Sequence, residues 1–298
     1  MKALVKRILF KNRTGKNFPA VRIDHDEVRE KVFLVLENHR LDITSNHCIV
    51  CQTPFYLAAW LTEEQFALVE AKIPKVEISV NDELVARLKI SFKQTISDAA
   101  NYIVIFHIDD AQCYQLNKVH QYFLQRYFQN KATILEGKIY SAMYSYPRRV
   151  ISVAYQDRDY YNIFPMDFQC FTSNGTYILG LRTTNVTIKK IIESKKVVIA
   201  DTDAARLETI YYLGSHHSNT PPSLHKLPFK TVPSEMYQFP VPDFAASYKE
   251  VEIVENYELG SHMLMIGKVK NSKQLRKGNS SLYHIHFFQL FKSNYTEA

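Results

Sequence analysis

The eight glycines of this 298-residue chain, at positions 15, 137, 175, 180, 214, 260, 267 and 278, never stand two apart. A dinucleotide-binding turn of the form G-x-G-x-x-G needs that spacing, because its glycines make the tight turn and let the backbone approach a pyrophosphate. No Rossmann site can be written here. Gly175 and Gly180 enclose four residues, as the glycines of a phosphate loop do, but Leu181 and Arg182 follow where that loop requires Lys and then Ser or Thr. Walker-type nucleotide hydrolysis is excluded with it. The distribution of glycine is as informative as its scarcity, since only Gly15 precedes residue 137. Turn chemistry that changes along a chain marks a change in construction. We place a boundary near Glu136 and Gly137, giving an N-terminal domain over 1–136 and a C-terminal domain over 137–298.

Hydrophobic residues make up 46% of the chain, and 37 Lys and Arg against 30 Asp and Glu leave a net charge of +7. Such values belong to a folded globular chain. The surplus charge is spread along the sequence rather than gathered into a basic stripe, so nucleic acid is not an expected partner. Aromatic residues, at 13%, are assigned to core and interface packing, with base stacking the lesser reading. Apolar stretches such as 56–61 fall far short of the ~20 residues that cross a bilayer, so no membrane partner is expected. At the start, Lys6 and Arg7 break the apolar run of a secretory signal, which reads as a cytoplasmic protein. Four cysteines in a chain this long make no disulfide framework.

Leu84, Ala86, Leu88, Ile90 and Phe92 alternate with more polar residues, the period that buries one face of a strand. Segments 31–37 and 102–108 are denser strand candidates. Thr62 followed by Gln65 is a capping-box pattern ahead of a helix, and Leu116, Val119, Phe123 and Tyr127 form a helical stripe. The N-terminal part is therefore expected to be a separate α+β domain, with no role assigned. Beyond the boundary, 150–155 and 177–181 read as strands, the second following a Ser173-Asn174-Gly175 turn. A helix is predicted over 186–194, a short strand over 197–200, a helix over 203–213 ended by Gly214, and strands over 247–270 and 282–291. This half reads as a β-barrel with inserted helices, and the whole chain as α+β, mainly β.

The segment Arg182-Thr183-Thr184-Asn185-Val186-Thr187 leads from a predicted strand into a predicted helix. It combines a guanidinium, three hydroxyls and the unsatisfied N–H groups of a helix start, which are the parts of a phosphate site. The alternative is that Thr184 or Asn185 only caps the helix. Cys48 and Cys51 have no second C-x-x-C to complete a zinc site, and within a strand they would point to opposite faces. They are read as buried structural cysteines. His284 and His286 would share a strand face, but no third ligand stands beside them in the sequence, so no metal is assigned. His216 and His217 read as polar loop residues.

Four segments, taken in order, carry a resemblance. They are Tyr146-Pro147-Arg148-Arg149-Val150, Asn162-Ile163-Phe164-Pro165-Met166-Asp167-Phe168, residues 181–191, and Gly260-Ser261-His262-Met263-Leu264-Met265-Ile266-Gly267-Lys268-Val269. Over residues 143–270 they resemble the flavin reductase-like FMN-binding split-barrel proteins: the opening of the first barrel strand, the Asn-x-x-Pro strand that follows the flavin edge, the phosphate-binding turn, and the Gly-Asp-His strand. Ser261 stands where that family has Asp, Lys268 where it has Glu, and Lys190 where an Asn often follows the helix-start Thr.

The resemblance implies a C-terminal FMN-binding split β-barrel, with FMN as cofactor and NAD(P)H as co-substrate. It implies Asn162, Pro165, Met166, Asp167, Phe168, Arg182, Thr183, Thr184, Asn185 and Thr187 as cofactor-binding residues. His262 would lie near the reactive face of the flavin as the catalytic candidate, the alternative being a buried strand histidine. A homodimer is implied as well. The expected function is an NAD(P)H-dependent, flavin reductase-like oxidoreductase. The alternative is a non-catalytic FMN-binding sensor or electron carrier whose N-terminal domain binds a partner.

Overall fold

Alternating apolar residues build two antiparallel sheets of seven strands each. The computed structural model describes residues 19–298 apart from 25–26, 38, 71, 73, 116, 120–133, 216–220, 279, 287–288, 291–292 and 294. The start of the chain, Leu116, Phe123 and Tyr127 of the predicted stripe, and His216 and His217 lie outside the described residues.

Strand β1 (Ala20–Asp24) precedes the seven strands of the N-terminal half: β2 (Glu30–Leu36), β3 (His39–Asp42), β4 (His47–Gln52), β5 (Phe55–Thr62), β6 (Lys75–Val80), β7 (Glu83–Asp98) and β8 (Asn101–Cys113). They lie in the order β3-β2-β6-β7-β8-β5-β4. Helix α1 (Glu63–Glu70) follows β5, and helix α2 (Ile134–Met143) packs on β7 and β8. The capping box is formed as the sequence predicts: Thr62 N–H donates to Gln65 Oε1 at 3.1 Å, and Gln65 N–H donates to Thr62 Oγ1 at 3.3 Å. Ile139, Ala142 and Met143 of α2 join Leu34, Leu57, Leu88 and Phe106 in one core. The boundary expected between residues 136 and 137 thus falls inside a helix that serves the N-terminal sheet.

The C-terminal half contains β9 (Arg148–Arg149), β10 (Ile151–Gln156), β11 (Tyr161–Met166), β12 (Gln169–Phe171), β13 (Thr176–Arg182), helix α3 (Thr187–Ser194), β14 (Lys196–Asp201) and helix α4 (Leu207–Ser215). Then come β15 (Thr231–Pro233), β16 (Pro240–Pro242), β17 (Ser247–Glu258), β18 (His262–Gln274), β19 (Ser280–His284) and β20 (Thr296–Glu297). The large sheet runs β11-β10-β14-β17-β18-β13-β12, and a small one runs β20-β1-β19-β9. The fold is mainly β, as expected, and the C-terminal sheet is consistent with a split barrel. Gly214 is the next-to-last residue of α4 instead of the residue after it, and Pro165 packs close to it, its Cγ 3.2 Å from where a Cβ would lie. The strand expected over 282–291 stops at His284. His286 N–H turns instead to the Tyr144 carbonyl at 2.8 Å.

Each of β5, β8, β13 and β18 divides its side chains between two cores. Leu57, Leu61, Val104 and Phe106 face the N-terminal core, while Leu179, Leu181 and Met265 face the C-terminal one. The other faces meet in a third cluster, in which Ala58, Trp60, Ile103 and Ile105 pack with Ile178, Leu264 and Ile266. Cys48 and Cys51 both enter this cluster instead of pointing apart, because a register shift between Ile49 and Cys51 breaks the alternation of β4. A Cβ at Gly180 would lie 2.5 Å from the Val50 carbonyl oxygen, so this strand glycine lets the two halves touch backbone to side-chain position. Lys268 Nζ lies 2.6 Å from Asp98 Oδ1 across the same contact.

Candidate functional site

A crevice of about 590 Å³ opens where β11, the end of β13 and the start of β18 approach α4 and the last residue of β4. Its walls bring together Asn162, Pro165, Met166, Asp167, Phe168, Arg182, Thr184, Asn185 and His262 of the residues singled out in the sequence. Thr183 and Thr187 are placed outside the lining. Thr183 Oγ1 donates to the Ser261 carbonyl at 3.2 Å. Thr187 is fully buried, and its Oγ1 meets Asn162 Nδ2 at 2.9 Å and the Tyr160 hydroxyl at 2.8 Å. It holds the crevice wall from behind.

The cationic side of the crevice is local in origin. Strand β13 ends at Arg182, and the chain turns through Thr184 and Asn185 into α3, whose apolar Ile188 and Ile191 anchor it to the sheet. Asn185 Oδ1 accepts from Thr187 N–H at 3.0 Å, which ties the turn to the first residue of α3 while Arg182 and Thr184 stay exposed. Arg182 Nη2 donates to Gln52 Oε1 at 3.2 Å, a partner from the N-terminal half. Lys190, which would otherwise add charge here, is engaged by Asp157 at 2.6 Å.

The opposite wall is built from rings and a half-buried contact between Asp167 and His284. Phe168 stacks on His262 with centroids 5.3 Å apart at 29°. His262 is only 3% exposed; burial, and next the Arg182 charge, lower its pKa to about 4, so the ring is neutral near pH 7. Thr53 N–H donates to Ser261 Oγ at 3.0 Å, and Ser261 Oγ lies 2.8 Å from His262 Nδ1. The Ser261 hydroxyl, which also lies 3.5 Å from Cys51 Sγ, thus ties the Nδ1 side of the ring to the backbone of the N-terminal half. Asp167 Oδ2 lies 2.9 Å from His284 Nδ1 and accepts from the Tyr144 hydroxyl at 3.0 Å. Burial alone would raise the Asp167 carboxyl, but His284, Arg148 and Tyr144 together hold it below the usual range. His284 therefore has a carboxylate beside it, supplied by a residue far away in the sequence, while buried His286 lies apart from it at 3.3 Å from Ser141 Oγ.

Tyr144, Tyr211, Leu213 and Gln52 line the crevice without having been marked by any motif, and His284, marked only as half of a His-x-His pair, lines it with them. Gly180 did carry a signal, since an isolated glycine in a strand announces a close approach of another chain segment.

A mainly β chain with this crevice at the edge of its C-terminal sheet is the kind of protein that the split-barrel resemblance describes. No protein-family model and no curated protein matches the chain. Among solved structures it is similar to an FMN-binding protein from Thermus thermophilus, with 17% identity, 44% of this chain and 72% of that chain covered, and a TM-score of 0.39. It is similar to an NADH:FAD oxidoreductase from Streptomyces globisporus, with 15% identity, coverage of 49% and 87%, and a TM-score of 0.43. It is also similar to the flavoredoxin of Desulfovibrio vulgaris, with 21% identity, coverage of 43% and 70%, and a TM-score of 0.39.

Proposed function

We propose that this chain is an FMN-binding flavoprotein acting as an NAD(P)H-dependent, flavin reductase-like oxidoreductase. The observation that carries the reading is a crevice in which the turn bearing Arg182, Thr184 and Asn185 adjoins a slot lined by Pro165, Met166, Phe168 and a neutral His262. The residues fit the cofactor in a further respect: Asn162 Oδ1 is buried against the crevice with no hydrogen-bond partner, and a flavin ring carries an N–H that an acceptor can take. A volume of about 590 Å³ lies within the range of cofactor sites.

FMN bound there would supply two-electron redox chemistry toward a nicotinamide nucleotide. The protein's part is binding and orientation. Arg182 offsets a phosphate, Thr184 and Asn185 set its position, and Met166 and Phe168 exclude water from the slot. His262, neutral in its buried position, offers the cofactor a polar ring without adding charge.

The mass of any chromophore released from purified protein tests the cofactor, and anaerobic addition of NADH or NADPH tests the activity. Loss of flavin absorbance on a stopped-flow timescale is expected. A flavin that stays oxidised with both nucleotides would move the protein to the sensor or electron-carrier reading.

A further inference from the structure

The two large sheets have one topology. Counting the strands of each half from one to seven in chain order, both read 2-1-5-6-7-4-3. Each half has a helix directly after its fourth strand, α1 after β5 and α3 after β13. Each has a long sixth-to-seventh hairpin with two register shifts at the same spacing, after Lys89 and Phe92 in β7 and after Glu250 and Ile253 in β17. The ladders agree residue by residue. Asn101 lies opposite Thr62 as His262 lies opposite Arg182. Cys48 lies opposite Ala58 as Cys170 lies opposite Ile178.

The contact between the halves is reciprocal as well. The corresponding cysteines each reach a backbone carbonyl of the other half, though not an equivalent one: Cys48 Sγ lies 4.0 Å from that of Ile178 and Cys170 Sγ 3.2 Å from that of Ser45, and the turns carry the reciprocity. The β4–β5 turn grips the β17–β18 turn, with Ser261 N–H donating to the Thr53 carbonyl at 2.9 Å. The β12–β13 turn grips the β7–β8 turn, with Asn174 Nδ2 donating to Asp98 Oδ2 at 3.0 Å. Such a pattern is the isologous contact of a twofold dimer, made within one chain.

The chemistry is not duplicated. Where the C-terminal half has Arg182, the N-terminal half has Thr62, followed by the carboxylates of Glu63 and Glu64 and committed to the capping box with Gln65. Gly180 corresponds to Trp60, whose Nε1 donates to Asp98 Oδ2 at 3.1 Å. Phe66 stacks on Tyr102 at 4.3 Å beside the residue equivalent to His262. The segment 202–246, which carries α4 to the crevice, has as its counterpart only the two-residue turn of Asn81 and Asp82.

Resting on the flavin reading above, we propose that the N-terminal half is a second copy of the split-barrel unit standing in the place of a partner subunit, so that one chain builds one flavin site. Gln52, from that second copy, is the positioning residue that holds Arg182 toward the cofactor. The equivalent crevice on the other side of the pseudo-twofold axis takes no flavin.

The test uses the full chain. Light scattering coupled to gel filtration is expected to give the monomer mass of 34.7 kDa, and titration with FMN one flavin per chain. The variant Gln52→Ala is expected to weaken FMN binding about 3- to 10-fold and to leave riboflavin binding, which involves no phosphate, unchanged. Two flavins per chain, or a stable dimer that loses its flavin on dissociation, would overturn the proposal while leaving the flavin reading intact. A Gln52→Ala variant that binds FMN like the parent would remove the second copy from the site. Parent protein that binds neither FMN nor riboflavin would instead sink the flavin reading, and this proposal with it.

Discussion

Arg182 and His262 face each other across neighbouring strands, so their contributions must be separated by what each mutant loses. If Arg182 holds a phosphate, Arg182→Ala should weaken FMN binding by about 1.5–3 kcal/mol, the scale of a charge-assisted hydrogen bond. Riboflavin affinity should be unaffected, and equal loss of both ligands in a fluorescence titration would assign Arg182 to the fold instead. His262→Asn should slow reduction of bound flavin about 10- to 100-fold with little change in affinity. An unchanged rate with a lowered melting temperature would leave His262 as a packing residue.

Buried histidines also set a pH dependence. Burial, aided by Arg148 at His47 and by Arg182 at His262, lowers both to about 4, and burial alone lowers His286 to about 3. All three are neutral in the fold, whereas the unfolded chain takes up protons below about 6.5. The unfolded state then binds more protons, so stability falls as the pH drops from about 6.5 to about 4, by about 1.4 kcal/mol per unit for each histidine. Glu30, whose carboxyl is pushed up by burial, opposes this by one group at the acid end of the window. Urea titrations at stepped pH should show the decline, and a flat profile across this window would contradict the buried neutral state.

Among the elements, those ruled by local pattern were readable from the chain. The alternation from Leu84 to Phe92 is β7, the Thr62–Gln65 pair starts α1, and the predicted helix over 186–194 is α3. Departures arose where a distant segment decided the outcome. The strand expected over 282–291 stops at His284, where His286 N–H turns to the Tyr144 carbonyl, and Cys51 joins Cys48 because a bulge in β4 turns it toward the other half. Gly180 is the sharpest case. A methyl group there meets the Val50 backbone, which cannot yield as a side-chain tip would, so Gly180→Ala should cost about 1–3 kcal/mol in chemical denaturation. A cost below about 0.5 kcal/mol would mean that the halves can shift apart without penalty.

For the whole molecule, the halves are tied in three ways: α2 lies in the N-terminal core, β1 pairs with β19, and the third apolar cluster joins both sheets. A fragment of residues 137–298 would strip β1 from the small sheet and expose Ile178, Leu264 and Ile266, each worth about 1.5–3 kcal/mol when buried. Expressed alone it should be insoluble or unable to hold flavin. A soluble fragment with the parent's flavin affinity would show that the C-terminal unit stands by itself, as a boundary near residue 137 expects.

What the sequence determined by itself was whatever depends on neighbours along the chain: the exclusion of glycine-rich nucleotide loops, the strand and helix periods, and the cluster from Arg182 to Thr187 at a helix start. Nine of the eleven singled-out site residues come together because a short ladder between β13 and β18 carries Arg182 to His262. Only the tertiary structure brought in Gln52, Tyr144 and His284, or matched Asp98 to Lys268, since the partners stand between 23 and 170 residues apart and no spacing rule links them. The shared strand order of the two halves was hidden for the same reason. Sheet order is a pattern of long-range pairing, and side chains as different as Trp60 and Gly180 can occupy one position in it while packing against opposite sides of the same contact.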